Sequence, residues 1–244
     1  MIPYVQEKNI VMKTFITTLL LLLCLNSMAQ NQLPDFSFEQ VKMSNITMPY
    51  RKATIAPMHG EKPAVVIYLH GGSSKGNDNT TQMNEPGIEL IANYLQSNRI
   101  NALFLVPQCP KDKSWMGPMY PVLKYMIERY TTDNGTQPAT ADINKVYIFG
   151  GSMGGTGTWG MLSMYPDMFA AAMPVAGNPS QCVAENVAHT PVFTVMGTAD
   201  AIMSVETAAD FIAKLNTLGD ETQMETEEGW SHEDTCTKSY VPRR

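Results

Sequence analysis

Five consecutive residues carry the strongest chemical signal in this sequence: Gly150-Gly151-Ser152-Met153-Gly154, a Gly-x-Ser-x-Gly pattern. A serine hydroxyl is a weak nucleophile until a base takes its proton, and the base works only when a third group orients it. The setting gives the pattern its weight. It follows the apolar run from Val146 to Phe149 and opens a helical segment, so Ser152 falls on a sharp strand-to-helix turn. Small neighbours let helix and strand pass closely while the hydroxyl projects. An ordinary glycine-rich turn is the plain alternative. A phosphate-binding loop has less support, because no Gly-Lys-Ser/Thr follows.

A nucleophile on such a turn is followed in the chain by Asp or Glu and then by His. Asp200 comes just after the run from Val192 to Met196, and His232 follows the last strand-like segment. Both fall at the same sheet edge as Ser152. In plainer readings they are a turn residue and a surface-loop histidine. The sequence has 4 histidines, so rivals are few. His59 precedes the parallel sheet, His189 lies at the wrong end of a strand, and His70 comes too early in the chain. His70 fits better as a strand-end residue that holds its loop by hydrogen bonds. Its turn, His70-Gly71-Gly72-Ser73, can offer the N–H of Gly72 to an oxyanion, with the N–H of Met153 as second donor. Trp115 and Trp230 fall in loops near this edge. Their rings would suit a sugar or a feruloyl group, or would simply pack. No His/Cys/Asp cluster has metal-ligand spacing.

The elements that must hold these residues are legible as alternating strands and helices. Ala64 to Leu69, Ala102 to Val106, Val146 to Phe149, Ala170 to Ala176 and Val192 to Met196 read as buried strands, with Glu221 to Glu227 as a last one. Ile88, Ile91, Ala92 and Leu95 mark a helix with Pro86 in its first turn. Val122, Leu123, Met126, Ile127 and Tyr130 mark another, expected to stop near Asn134-Gly135. Ala208, Phe211, Ile212 and Leu215 mark a third, with Ser204 as N-cap and Gly219 as its stop. The fold class is α/β: a mostly parallel central sheet, helices on both faces, and antiparallel N-terminal edge strands between Phe36 and Ile55. Ligands of such sheets bind at the carboxyl ends of the strands.

The chain has 244 residues, is 44% hydrophobic and carries a net charge of −6. That excludes a disordered or fibrous chain, and an acidic chain without a basic run argues against nucleic acid and anionic lipid as partners. Lys13, an uncharged run from Thr14 to Leu25, and Ser27-Met28-Ala29 make residues 1–29 a secretory signal peptide cut at Ala29-Gln30, with Met12 as the expected start. The run is too short to span a bilayer. Cys24 raises lipoprotein anchoring, but Leu23 is bulky where that signal wants a small residue. Residues 30–244 are expected to form a single domain, exported to the periplasm or beyond. Export permits a disulfide among Cys109, Cys182 and Cys236. Cys182–Cys236 is the favoured pair, and three unpaired thiols are the equal alternative. Oligomeric state is not legible.

With these pieces in order the chain resembles the α/β-hydrolase superfamily. More narrowly it is similar to exported bacterial esterases and predicted peptidases related to polyhydroxybutyrate depolymerases and feruloyl or acetyl-xylan esterases. The resemblance rests on Tyr68-Leu69-His70-Gly71-Gly72, Pro107-Gln108-Cys109-Pro110 with Trp115, Gly150 to Gly155, Tyr165-Pro166-Asp167-Met168-Phe169, Gly197 to Asp200, and His232. It implies ester hydrolysis through an acyl-enzyme with no cofactor, Ser152 as nucleophile, His232 as base and Asp200 as its orienting acid. The expected substrate is a small-molecule or carbohydrate ester. Two rival classes remain: a serine peptidase of prolyl-oligopeptidase type, which usually carries a separate gating domain, and a non-catalytic binding protein on a hydrolase scaffold. Relatives continue past Val241-Pro242-Arg243-Arg244 into a closing helix, so a truncated C-terminus is expected.

Overall fold

Two runs of the sequence, Ala64–Leu69 (β3) and Ala102–Pro107 (β4), are buried along their whole length, as strands covered on both faces must be. They sit near the middle of an eight-stranded sheet. The computed structural model describes residues 33–57, 60–219 and 222–240. The expected leader and its expected cleavage site, Cys24, His59 and residues 241–244 lie outside the described residues.

The first two strands, β1 (Ser37–Met43) and β2 (Ile46–Ile55), form an antiparallel pair, and β2 also pairs antiparallel with β4. Only β1 is therefore an edge strand at this end, and β2 is enclosed. The remaining strands are β5 (Val146–Gly151), β6 (Ala171–Val175), β7 (Phe193–Gly197) and β8 (Gln223–Glu227), all parallel to their neighbours. The spatial order is β1-β2-β4-β3-β5-β6-β7-β8. The β5–β6 and β7–β8 ladders run the length of their strands. Between β6 and β7 the ladder narrows to Val175 opposite Val195, with a separate bridge from Ala172 to Val192.

Helix α1 (Pro86–Ser97) covers one face, burying Ile88, Ile91, Ala92 and Leu95, with Pro86 at its first position. Helices α2 (Met119–Thr131), α3 (Met153–Met164) and α5 (Val205–Thr217) feed the larger cluster on the other face. There Trp159 of α3 meets Phe211 of α5 edge-on, ring centroids 5.5 Å apart. Two short helices complete the chain, α4 (Ala184–Val187) and α6 (His232–Lys238). Ser204 caps α5 by accepting from the Thr207 N–H, and Gly219 follows it at φ +84°. No helix among the described residues is long and apolar enough to cross a membrane.

Two expectations need correction. Helix α2 stops at Thr131, short of Asn134-Gly135. Asn134 uses its side-chain oxygen on the N–H groups of Thr136 and Gln137, which builds a turn in place of another helical one. The favoured Cys182–Cys236 disulfide does not form, and Cys109, Cys182 and Cys236 are all free. Cys182 packs with the larger cluster and Cys236 with the smaller, so the sheet lies between them.

Candidate active site

Ser152 ends the run of β5 with φ 58° and ψ −119°, a conformation that residues with a Cβ rarely adopt. Its N–H donates to the Val175 carbonyl at 3.0 Å, and its carbonyl accepts from Thr156 at 3.0 Å, so strand and helix hold the turn from both sides. The close approach explains Gly154. A Cβ there would overlap the Leu69 carbonyl at the end of β3. Met153 opens α3, where its N–H has no intrahelical acceptor and points outward from a helix N-terminus.

Asp200 and His232 come from the ends of β7 and β8, and their loops are stitched together. Thr198 N–H donates to Glu227 O at 2.9 Å, Ala199 N–H to Trp230 O at 3.0 Å, and Gly229 N–H to Thr198 Oγ1 at 2.8 Å. Gly197 is needed because the Trp230 backbone passes where its Cβ would stand. His232 is the first residue of α6, whose start is fixed by a capping box between Ser231 and Asp234. The Asp234 carboxyl is held at about 2, chiefly by Lys238 and then by the Ser231 hydroxyl.

These loops bring three predicted residues into one chain of hydrogen bonds. His232 Nε2 lies 2.8 Å from Ser152 Oγ, and His232 Nδ1 lies 2.7 Å from Asp200 Oδ2. The Asp200 side chain is fully buried, and its other oxygen accepts from the N–H groups of Ile202 and Met203, each at 2.8 Å. With Asp200 accepting at Nδ1, the neutral imidazole keeps its proton there and turns a lone pair at Nε2 toward the serine.

His70 anchors the neighbouring turn. Its Nδ1–H donates to Gly71 O at 2.6 Å, and its Nε2 accepts from the Cys109 N–H at 2.9 Å. Burial pushes its pKa down to about 4, so the ring is neutral. Trp115 donates from Nε1 to His70 O at 2.9 Å, edge-on to the imidazole. Trp115 is 0% exposed, which corrects its assignment as a substrate contact. Its indole lies under the loop, against α3 at Gly157, and its polar edge is already used. Trp230 is half-buried beside His232, with the Lys238 ammonium 5.5 Å from its ring centre.

The roles of several residues around the site are not legible in the sequence. Glu85 Oε1 accepts from the Gly71 N–H at 3.2 Å and from the Ser74 hydroxyl at 2.6 Å. The only sequence signal was a glutamate just before a helix-opening proline. Buried Gln108 accepts from the Asn79 N–H at 2.7 Å and donates to Asp78 Oδ1 at 2.8 Å, tying the β4 loop to the segment after Gly72. Cys236, one helical turn after His232, has its sulfur 3.9 Å from His232 Nε2. Burial pushes this thiol up to about 12, so it does not compete with Ser152 as an anion. The Tyr68 and Tyr240 hydroxyls also lie beneath Gly151, and burial raises both well above the ordinary phenol range.

No family model matches the chain, and no curated protein sequence does. Solved structures do. A thermostable esterase superposes with a TM-score of 0.73 at 26% identity, over 84% of this chain and 60% of its own. A feruloyl esterase module from Clostridium thermocellum, complexed with sinapinate, gives 0.64 at 16% identity over 85% of this chain and 86% of its own. An acylaminoacyl peptidase from Pyrococcus horikoshii gives 0.62 at 15% identity, over 86% of this chain and 40% of its own. The strand order, the two antiparallel N-terminal strands and these likenesses define an α/β-hydrolase fold. The chain spans 60% of the thermostable esterase and 40% of the peptidase.

Proposed function

We propose that the protein is an exported serine hydrolase of carboxylic esters, acting on small to medium esters, with acyl groups on polysaccharides as the natural class. The observation that carries this reading is the unbroken bond chain from Ser152 Oγ through His232 to a buried Asp200, set on a strained strand-to-helix turn. The esterase neighbours support the ester class, and the leader sequence supports export.

The chemistry follows from the geometry. Ser152 Oγ attacks the carbonyl carbon as His232 Nε2 takes its proton. Asp200 holds the resulting imidazolium without itself gaining the proton. Negative charge builds on the carbonyl oxygen, where the N–H groups of Gly72 and Met153 donate to it. The tetrahedral adduct collapses, the leaving alcohol takes the proton from Nε2, and an acyl-serine remains. Water then attacks with His232 as base, releasing the acid and restoring Ser152.

Hydrolysis of p-nitrophenyl esters of increasing acyl length, beside Ser152→Ala, tests the reading. The parent should turn over and the variant should lose at least about 1000-fold. A folded parent that cleaves peptide p-nitroanilides faster than esters would move it to the peptidase class. Acetate or ferulate release from xylan fragments tests the polysaccharide part. Good turnover of simple esters with no such release would remove that part alone.

A further inference from the structure

Glu85 stands at the N-cap of α1, a position where a short Ser, Thr, Asp or Asn usually serves the helix's own N–H groups. Its side chain makes no cap. It turns to the oxyanion turn instead and accepts from Gly71 N–H and Ser74 Oγ with one oxygen. These two donors flank Gly72. Gly71 lies against the nucleophile, since a Cβ on it would be 3.7 Å from the Ser152 Cβ. Gly72 itself is exposed, with nothing within 4 Å of where a Cβ would be. On the upstream side His70 pins the turn to the β4 loop, and on the downstream side Ser74 hangs from Glu85.

We propose that Glu85 is a positioning residue of the oxyanion turn: its carboxylate touches no substrate but fixes the direction of the Gly72 N–H. This rests on the ester-hydrolase reading above. A donor aimed at a developing oxyanion acts in the transition state and hardly at all in the ground state, so loosening it lowers kcat with little change in KM. The N–H remains present, so the loss is smaller than deletion of a donor. Misplacement by about 1 Å costs on the order of 100-fold, which sets the upper end.

The test compares kcat and KM for p-nitrophenyl butyrate in the parent, Ser152→Ala, Glu85→Ala, Glu85→Gln, Ser74→Ala and Glu89→Ala. Glu89 is exposed in the first turn of the same helix and controls for lost charge there. Glu85→Ala should lose about 10- to 100-fold in kcat with KM within about threefold. Glu85→Gln keeps an accepting oxygen and should recover most of the rate. Ser74→Ala deletes one donor, leaves the carboxylate, and should lose about 3- to 10-fold in kcat. It carries the test if the Glu85→Ala chain does not fold. Unchanged kcat in Glu85→Ala or Ser74→Ala, or a loss confined to KM, overturns the proposal. So does a Glu85→Gln rate as low as that of the alanine variant. An inactive parent overturns the ester-hydrolase reading, and the role of Glu85 falls with it. A parent whose activity depends on Ser152 but not on Glu85 refutes the role of Glu85 alone.

Discussion

Replacing Ser152 by alanine and by glycine, in otherwise identical chains, separates backbone strain from chemistry. Both variants lose the hydroxyl and its bond to His232, so both should lose turnover. They differ in a Cβ held at φ 58° and ψ −119°. A residue with a Cβ in so sparse a region costs about 1–3 kcal/mol. Glycine escapes that cost but gives up about 0.5–1 kcal/mol of extra chain entropy on folding. The difference leaves the glycine variant more stable than the alanine variant, by about 1 kcal/mol at the centre of these ranges. For a chain of this size that is about 2–4 °C in Tm. Urea melts monitored by tryptophan fluorescence, with calorimetry alongside, measure both quantities. At an ordinary site the sign is reversed, and glycine is the weaker residue. A glycine variant that melts below the alanine variant by about 0.5–1 kcal/mol would show that the turn stores no strain.

Gly154→Ala pushes a methyl group into the Leu69 carbonyl and should cost upwards of about 3 kcal/mol or abolish soluble expression; a melt within 1 kcal/mol of the parent would disprove the close approach. Burial lowers His70 from 6.5 to about 4, so the unfolded chain takes up a proton near 6.5 that the folded chain refuses. Stability should therefore be complete above 6.5 and fall by up to about 3 kcal/mol as pH drops to 4. Urea midpoints across that window should be flatter in His70→Gln, and equal slopes would refute the assignment. Trp115→Phe loses the bond to the His70 carbonyl and should cost about 1–3 kcal/mol while leaving KM within about twofold. A raised KM at unchanged stability would return the indole to the substrate.

Ser152, Asp200 and His232 are visible in the sequence for one reason. Each follows a segment that forms a parallel strand, apolar for Ser152 and Asp200 and polar (Gln223–Glu227) for His232, and parallel strands present their carboxyl ends along one edge. The glycines at 150, 154 and 197 are visible because close backbone passages exclude every other residue. Trp115 is harder, since an indole in a loop has the same sequence signature whether it faces solvent or lies under the loop. Its burial depends on how the β4 loop folds back over α3, a long-range contact. Glu85 is hidden for a related reason: local pattern places it at a helix start, whereas its partners belong to another loop. His232 reads as a loop residue because the seven-residue helix it opens is too short to show periodicity. The cysteine pairing failed on the same ground, because spacing along the chain does not say on which side of a sheet each thiol will fall.

The narrow ladder between β6 and β7 divides the sheet mechanically. Ser152 is anchored on the β5–β6 side, whereas Asp200 and His232 ride together on β7 and β8, whose loops are laced to each other. Any shear at that seam would stretch the bond between serine and imidazole and leave the one between imidazole and carboxylate at its length. Acid and base thus stand on one side of that seam and the nucleophile on the other. What joins the two sides within the sheet is one paired valine rung, one lone bridge and the Thr194 hydroxyl donating to the Pro174 carbonyl at 2.6 Å.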